Sequence, residues 1–368
     1  MDMSELEKAL ADKGKIKVVQ MAPAVRVGIG EMFGYEPGTP LTNKLVGALR
    51  ALGFDFVFDT TFAADIVVIE ENAELEQRHA NGGLFPLLNS CCPGFVMYLE
   101  RNFPDLRRNN MATVKSPMET MGALVKTYFA QKQNLDPRKI YSVAAMPCLV
   151  KKMEAKRPEM LLDGGLPAVD FVITTNELGQ FLKAKGIELK NCQESDFDKL
   201  MGQSSGAARL FGTTGGVSEA TLRYHAHLHG QKLAEPVIQE LRGFENTREI
   251  NFTIAGKEIK ILVVYGLQNA GLVLKDKELR EKYHFIEVMT CPGGCIGGAG
   301  QPPASPEIVE KRRQGLYSLG QNAAYPDAGE NPEVHRLYGE FLGQIGGEKA
   351  KKLLHIPDGR WEIHEKSQ

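Results

Sequence analysis

Phe285-Ile-Glu-Val-Met-Thr-Cys-Pro-Gly-Gly-Cys-Ile-Gly-Gly-Ala-Gly-Gln-Pro302 is the stretch from which the rest of the chain is read. Phe285 to Met289, apolar except for Glu287, reads as a buried strand, and it delivers Cys291 into a turn. Cys291 and Cys295 are four apart with glycines between them. Two thiolates so placed can bend around one cluster while backbone N–H groups approach its sulfides. The glycines continue through Gly297, Gly298 and Gly300, as expected where backbone packs tightly against something that is not a side chain. Four cysteines would also suit zinc, although zinc ribbons usually pair two C-x-x-C knuckles and this sequence has none.

The same junction recurs upstream. A strand from Tyr141 to Met146 delivers Cys148 through Pro147. The apolar run Leu84 to Leu88, with Pro86 inside it, delivers Cys91-Cys92-Pro93-Gly94 and a helix from Phe95 to Asn102. Proline suits a first helical turn because its missing N–H costs nothing there. Cysteines at such a helix start lie near free N–H groups and the positive end of the dipole, which favours thiolate. The bland alternative is a buried structural pair. Lys151 follows Cys148 by three, so on a helix both share a face and the lysine could serve an anionic ligand beside a metal. Read alone, it is a solvated surface lysine.

Working outward, strands alternate with helices. A strand at Ile16 to Val19 ends at Ala22-Pro23. A helix at Thr42 to Leu52, a strand at Phe54 to Phe58 and a helix at Ala63 to His79 follow. Further on come a helix at Met118 to Gln133, a strand at Val169 to Ile173 and a helix at Glu177 to Lys185. Another helix starts near Gly216, and Glu249 to Tyr265 alternates like a hairpin around Ala255-Gly256. The pattern predicts an α/β fold with mainly parallel sheets, its sites just past the strand ends. Residues 1–304 read as the main unit and 305–368 as a helical C-terminal tail.

The chain is 43% hydrophobic and 24% charged, with net charge −2 and a single Trp. That balance gives no field for nucleic acid or anionic lipid. No run reaches the roughly 18 apolar residues that span a bilayer. The charged N-terminus does not read as a signal peptide, so a cytoplasmic location is expected. Six cysteines in 368 residues are too few for a disulfide scaffold and point to metal binding or catalysis.

Asn89-Ser-Cys-Cys-Pro-Gly-Phe95, Met146-Pro-Cys-Leu-Val-Lys-Lys-Met-Glu154 and the opening stretch resemble, in order, the three signature motifs of FeFe-hydrogenases. The similarity runs from Met21-Ala-Pro-Ala-Val-Arg26 to Asn331-Pro-Glu-Val-His-Arg-Leu-Tyr338 and Leu353-Leu-His355, the last two like the family's small-subunit region. The resemblance implies two intertwined lobes with the cofactor buried between them. It implies that Cys92, Cys148, Cys291 and Cys295 ligate a 4Fe–4S cluster. Cys295 would bridge it to a di-iron site carrying CO, cyanide and azadithiolate, together the H-cluster. Lys151 would bond one cyanide, with Ala22 and Pro23 near the other. Met146 and Met289 would pack on the di-iron unit, Ser116 would stand on the cofactor side, and Cys91 would be the acid–base thiol.

Heterolytic H2 chemistry also needs a proton route to water. Glu71, Glu74 and Arg78 share one helix face and stand where the family's relay stands; without that match they would read as a solvated face. Some positions depart from the family. Ala112, with Thr113 beside it, replaces a relay serine before Ser116-Pro117, and Met118 replaces a glutamine. Phe95 replaces a common tryptophan, and Ala24 stands where a small hydroxyl residue is frequent. No cysteines remain for accessory clusters, so electrons are expected from ferredoxin or another redox protein or subunit. Maturation proteins are expected to install the di-iron unit. A sensory hydrogenase and an iron–sulfur assembly protein on the same fold are the competing roles. Of the smaller features, His225 and His229 share a helix face and could form a metal pair, but with His227 they read first as a solvated helix end. Cys192 reads as a free thiol, and Thr213 to Gly216 as a tight turn rather than a phosphate loop.

Overall fold

The computed structural model describes residues 2–233 and 247–356, so the last part of the expected tail, 357–368, lies outside the described residues. Ten strands are present among them: β1 (Ile16–Met21), β2 (Phe56–Asp59), β3 (Leu87–Leu88), β4 (Ile140–Met146), β5 (Leu161–Leu162), β6 (Leu166–Pro167), β7 (Phe171–Thr174), β8 (Thr247–Ile254), β9 (Lys257–Tyr265) and β10 (Phe285–Met289). One sheet has the order β2-β1-β4-β7 and is parallel throughout. The second has the order β3-β10-β9-β8, parallel except for the β8–β9 hairpin. The chain gives β3 to the second sheet before returning to the first for β4 and β7. That crossing intertwines the two lobes.

The strand sequences explain the layering. β7 and β10 are buried at every residue and β4 at all but one, as parallel strands are when helices cover both faces. β8 alternates buried with open positions, as fits a hairpin strand facing water on one side. Its turn places Ala255 at φ 50° and Gly256 at φ 76°, the positive pair that a tight hairpin requires.

Two boundaries differ from the periodicity. β3 shrinks to Leu87–Leu88, because Pro86 has no N–H for the ladder and Leu84 points outward. The long helix runs over Thr60–Asn81, earlier than apolar spacing suggests. The Asp59 carboxylate accepts from the Thr61 amide at 2.9 Å and starts it. The helix that begins at Pro117 continues through a π-helical turn at Val125–Phe129.

Phe129, in that turn, packs edge-on against Phe56 (4.8 Å between ring centroids) and Phe58 (5.1 Å). It is fully buried in the core between the first sheet and the long helix. Phe129→Ala should therefore cost about 3–5 kcal/mol, read as a lowered denaturation midpoint. Past Pro306 the described tail is helical, and its end docks back on the protein through Lys115 N to Leu354 O (2.7 Å) and Ile356 N to Thr113 O (2.8 Å). No helix among the described residues is long and apolar enough to cross a membrane.

Candidate functional site

The carboxyl ends of five strands converge on one cavity of about 230 Å³. β1 supplies Ala22 and Pro23, and β2 leads to Thr60 and Thr61. β3 supplies Cys91 and Cys92, β4 supplies Met146, Cys148 and Lys151, and β10 supplies Met289, Cys291 and Cys295. Parallel strands open their loops on this side, which is why five distant segments meet here. Ten of the expected site residues thus line one space. Ser116 does not: it lines a smaller void with Glu154 and Arg157, its hydroxyl unpartnered. Glu71, Glu74 and Arg78 also stand outside the cavity lining.

All six cysteines are free thiols. Burial pushes Cys291 up to about 11, with Cys92 and Cys148 adding to the shift. Cys295 goes well above the ordinary thiol range for the same reasons. Cys148 is also raised by burial, against the nearby Lys151 ammonium. Four sulfurs in an apolar pocket are costly as bare thiolates, and a bound multivalent cation centre removes that cost.

The donor spacing argues against a single metal ion. Four thiolates on one zinc, each about 2.3 Å from it, stand about 3.8 Å apart. Among the described residues, the sets of three or more donor atoms within 4.8 Å are Glu76/His225/His229 and His227/Asp327/Glu330, with no cysteine in either. Four cysteines around one cavity, no three of their sulfurs within 4.8 Å of one another, fit a polynuclear iron–sulfur centre instead.

Hydrogen bonds and close packing fix the loops. Asn89 donates from Nδ2 to the Cys91 sulfur at 3.2 Å and accepts at Oδ1 from Val288 N at 2.9 Å, which ties the first motif to β10. Thr290 Oγ1 lies 3.1 Å from the Cys92 sulfur. A side chain on the third-motif glycines would collide with other backbone, and Gly294 and Gly298 also line the cavity. A Cβ on Gly298 would stand 2.4 Å from Pro147 O, and one on Gly300 2.8 Å from Cys148 N. Buried Arg312 completes the clamp, donating to Ile296 O and Pro302 O (both 2.9 Å) and pairing with Glu31.

Lys151 is 9% exposed rather than solvated. The short helix begins at Lys151 itself, after Cys148. Its ammonium sits 2.6 Å from Glu154 Oε2 and donates to Cys91 O at 3.2 Å. Burial lowers its pKa, but Glu154 outweighs it and the net shift is upward, so the lysine is charged.

On the long helix Glu71 is fully buried, and among the described residues no side chain hydrogen-bonds its carboxyl, only the Ser90 backbone amide favouring the charged form. Burial, then the charge of Glu74, pushes it up to about 8, so it holds a proton at neutral pH. Glu74 accepts from the Thr113 amide at 2.9 Å and from the Thr113 hydroxyl, and it lines an open cleft with Arg78. Arg78 donates to Leu84 O at 2.7 Å.

Sequence reasoning missed the group behind Glu74. His355 Nε2 lies 2.9 Å from Glu70 Oε2, and Nδ1 lies 2.8 Å from Thr113 Oγ1. Tyr338 donates to Glu70 Oε1. Burial lowers His355, but its bonds to Glu70 and Glu74 prevail and hold it at about 9, so it is an imidazolium between two carboxylates at neutral pH. The available signals were Thr113 beside the departing Ala112, and a histidine in the tail segment. Thr113→Val removes a hydroxyl that bonds both Glu74 and His355. With charged partners on both sides it is expected to cost about 1.5–3 kcal/mol of stability, read in a denaturation curve.

His225 is buried rather than solvated, because the helix Gly216–Leu228 lays it against the long helix. The turn before that helix meets an anion of the protein itself. Its Gly215 and Ser218 amides donate to the buried Glu287 carboxylate, each at 2.7 Å, so the protein's own anion fills the helix start.

Residues 15–299 match the family described as the iron-only hydrogenase large subunit, C-terminal domain, and residues 306–356 match the iron hydrogenase small subunit. The chain is 43% identical over 360 residues to the NADP-reducing hydrogenase subunit of Solidesulfovibrio fructosivorans (95% of this chain, 61% of the relative). It is 39% identical to iron hydrogenase 1 of Clostridium pasteurianum (96% and 63%). The chain thus spans about three fifths of the length of these two relatives. It is also 34% identical to the mouse cytosolic iron-sulfur assembly component 3 (95% and 75%). An apo FeFe-hydrogenase from Chlamydomonas reinhardtii superposes with a TM-score of 0.83 at 36% identity, covering 95% of this chain and 98% of that one. With the family matched over most of its length and the fold shared with solved members, the chain belongs to the iron-only hydrogenase family.

Proposed function

We propose that the chain interconverts H2 with two protons and two electrons at an H-cluster, exchanging electrons with ferredoxin or another redox protein or subunit. One observation carries this reading. A fifth thiol, Cys91, opens on the cavity of the four ligand cysteines, with a buried, protonated Glu71 behind it. An assembly protein that holds an ordinary cluster needs the ligands and has no use for that line of acids.

When bound, the group is where H2 is split heterolytically and its electrons are collected. Cys92, Cys148, Cys291 and Cys295 would hold the 4Fe–4S part, with Cys295 bridging to a di-iron unit carrying CO, cyanide and azadithiolate. Lys151, kept charged by Glu154, would donate to a cyanide, with Ala22 and Pro23 beside the other. Met146 and Met289, which line the cavity, would exclude water from the di-iron side. Met118, also in the lining, offers no hydrogen-bond donor there.

Cys91 exchanges the proton next to the cofactor. Glu71 passes it to Glu74, which opens on the cleft shared with Arg78. Ala112 offers no hydroxyl where the family's relay serine stands, and the Thr113 hydroxyl bonds Glu74 and His355 rather than Glu71. That gap, with Met118, favours slow turnover and makes a sensory role the second reading. The test is H2 evolution from reduced viologen by protein matured with its di-iron unit. Turnover far above that of the protein holding only its 4Fe–4S cluster supports the proposal; equal, negligible rates in both would sink it.

A further inference from the structure

Two helices outside the cavity face each other with matched donors. Asn72 and Glu76 stand one turn apart on the helix Thr60–Asn81. His225 and His229 stand one turn apart at the end of the helix Gly216–Leu228, His229 being its C-terminal cap. Glu76 Oε1 lies 3.5 Å from His225 Nδ1 and 3.5 Å from His229 Nε2. Asn72 Oδ1 lies 3.2 Å from the same His225 Nδ1.

These separations have a geometric meaning. Nitrogen and oxygen ligands about 2.0–2.1 Å from a tetrahedral ion stand roughly 3.3–3.4 Å from one another. The Glu76–His225, Glu76–His229 and Asn72–His225 separations therefore already match the spacing of a coordination shell. The Asn72 amide is aimed by its own nitrogen, which donates to Val68 O at 2.9 Å and Thr221 O at 3.1 Å and leaves Oδ1 toward His225. Asn72 and His225 are buried, while Glu76 and His229 are partly open, so an ion has a way in.

We propose that Asn72, Glu76, His225 and His229 form a binding site for a zinc-like divalent transition-metal ion that cross-links the two helices. Two imidazoles with a carboxylate favour such an ion over magnesium or calcium, which prefer all-oxygen shells. Glu71 and Glu74 lie on the same stretch of helix as Asn72 and Glu76. The ion would hold that stretch against the neighbouring helix, independently of what fills the cysteine cavity.

The test uses protein with its 4Fe–4S cluster loaded, so that the ligand cysteines are occupied, titrated with zinc alone and desalted. One zinc per chain is expected. Its X-ray absorption should show a first shell of nitrogen and oxygen at about 2.0–2.1 Å with imidazole scattering, and no sulfur near 2.3 Å. His229→Ala, at the open end where the fold tolerates it, and Glu76→Gln should each weaken zinc affinity at least about tenfold, since losing a hydrogen bond to a ligand already costs ten- to hundred-fold. Three results would overturn the proposal: no zinc uptake by the wild-type protein, wild-type affinity in both variants, or a sulfur-dominated shell.

Discussion

Cys91→Ser should lower H2 turnover at least about 100-fold while the protein keeps its full iron content. The thiol is no ligand in the proposed scheme, so the cluster should load without it. Serine preserves the size of the side chain and its hydrogen bond with Asn89, but a hydroxyl gives up its proton far less readily than a thiol. The measurement pairs H2 evolution with iron per chain. Unchanged turnover at full iron content would remove Cys91 from the proton path. Lost iron would assign it a structural part in the site.

Glu71→Gln separates function from stability. With its pKa at about 8 rather than the ordinary 4.5, the buried carboxyl keeps its proton in the folded state after the unfolded chain has lost it. Between those two values the unfolded state binds fewer protons, so this group's contribution to stability falls as pH rises. Glutamine cannot ionise and escapes the penalty. The variant should therefore lose turnover at least about 100-fold, as a removed proton carrier does, yet gain stability relative to wild type at pH 8.5 compared with pH 5. Thermal denaturation at both pH values, beside an activity assay, reads both effects. A stability gain with full activity would mean that protons travel by another route.

The site was legible because its punctuation is local. Each cysteine stands within a few residues of an apolar strand, with a proline or glycine marking the junction, and parallel strands send such junctions to one side of a sheet. What was not legible lies in long-range pairing and in side-chain direction. His355 meets Glu70 across 285 residues of sequence, and no periodicity encodes that partner. His225 and His229 share a helix face in any reading, but only packing against the long helix decides that this face is buried. Glu287 reads as an interruption of an apolar strand. Its use, capping the helix that begins at Gly216, depends on two amides at that helix's own start, some seventy residues earlier. The third-motif glycines were read as backbone packed against something that is not a side chain. Gly298 and Gly300 meet the backbone of the second motif, so they serve the joining of the lobes.

The most direct measurement is the infrared spectrum of anaerobically matured protein in the region of CO and cyanide stretching, recorded under argon and again under H2. The account predicts sharp CO and cyanide bands that shift when H2 is admitted. Absence of those bands in fully matured protein with an intact 4Fe–4S signal would contradict it and leave an iron–sulfur protein on a hydrogenase fold.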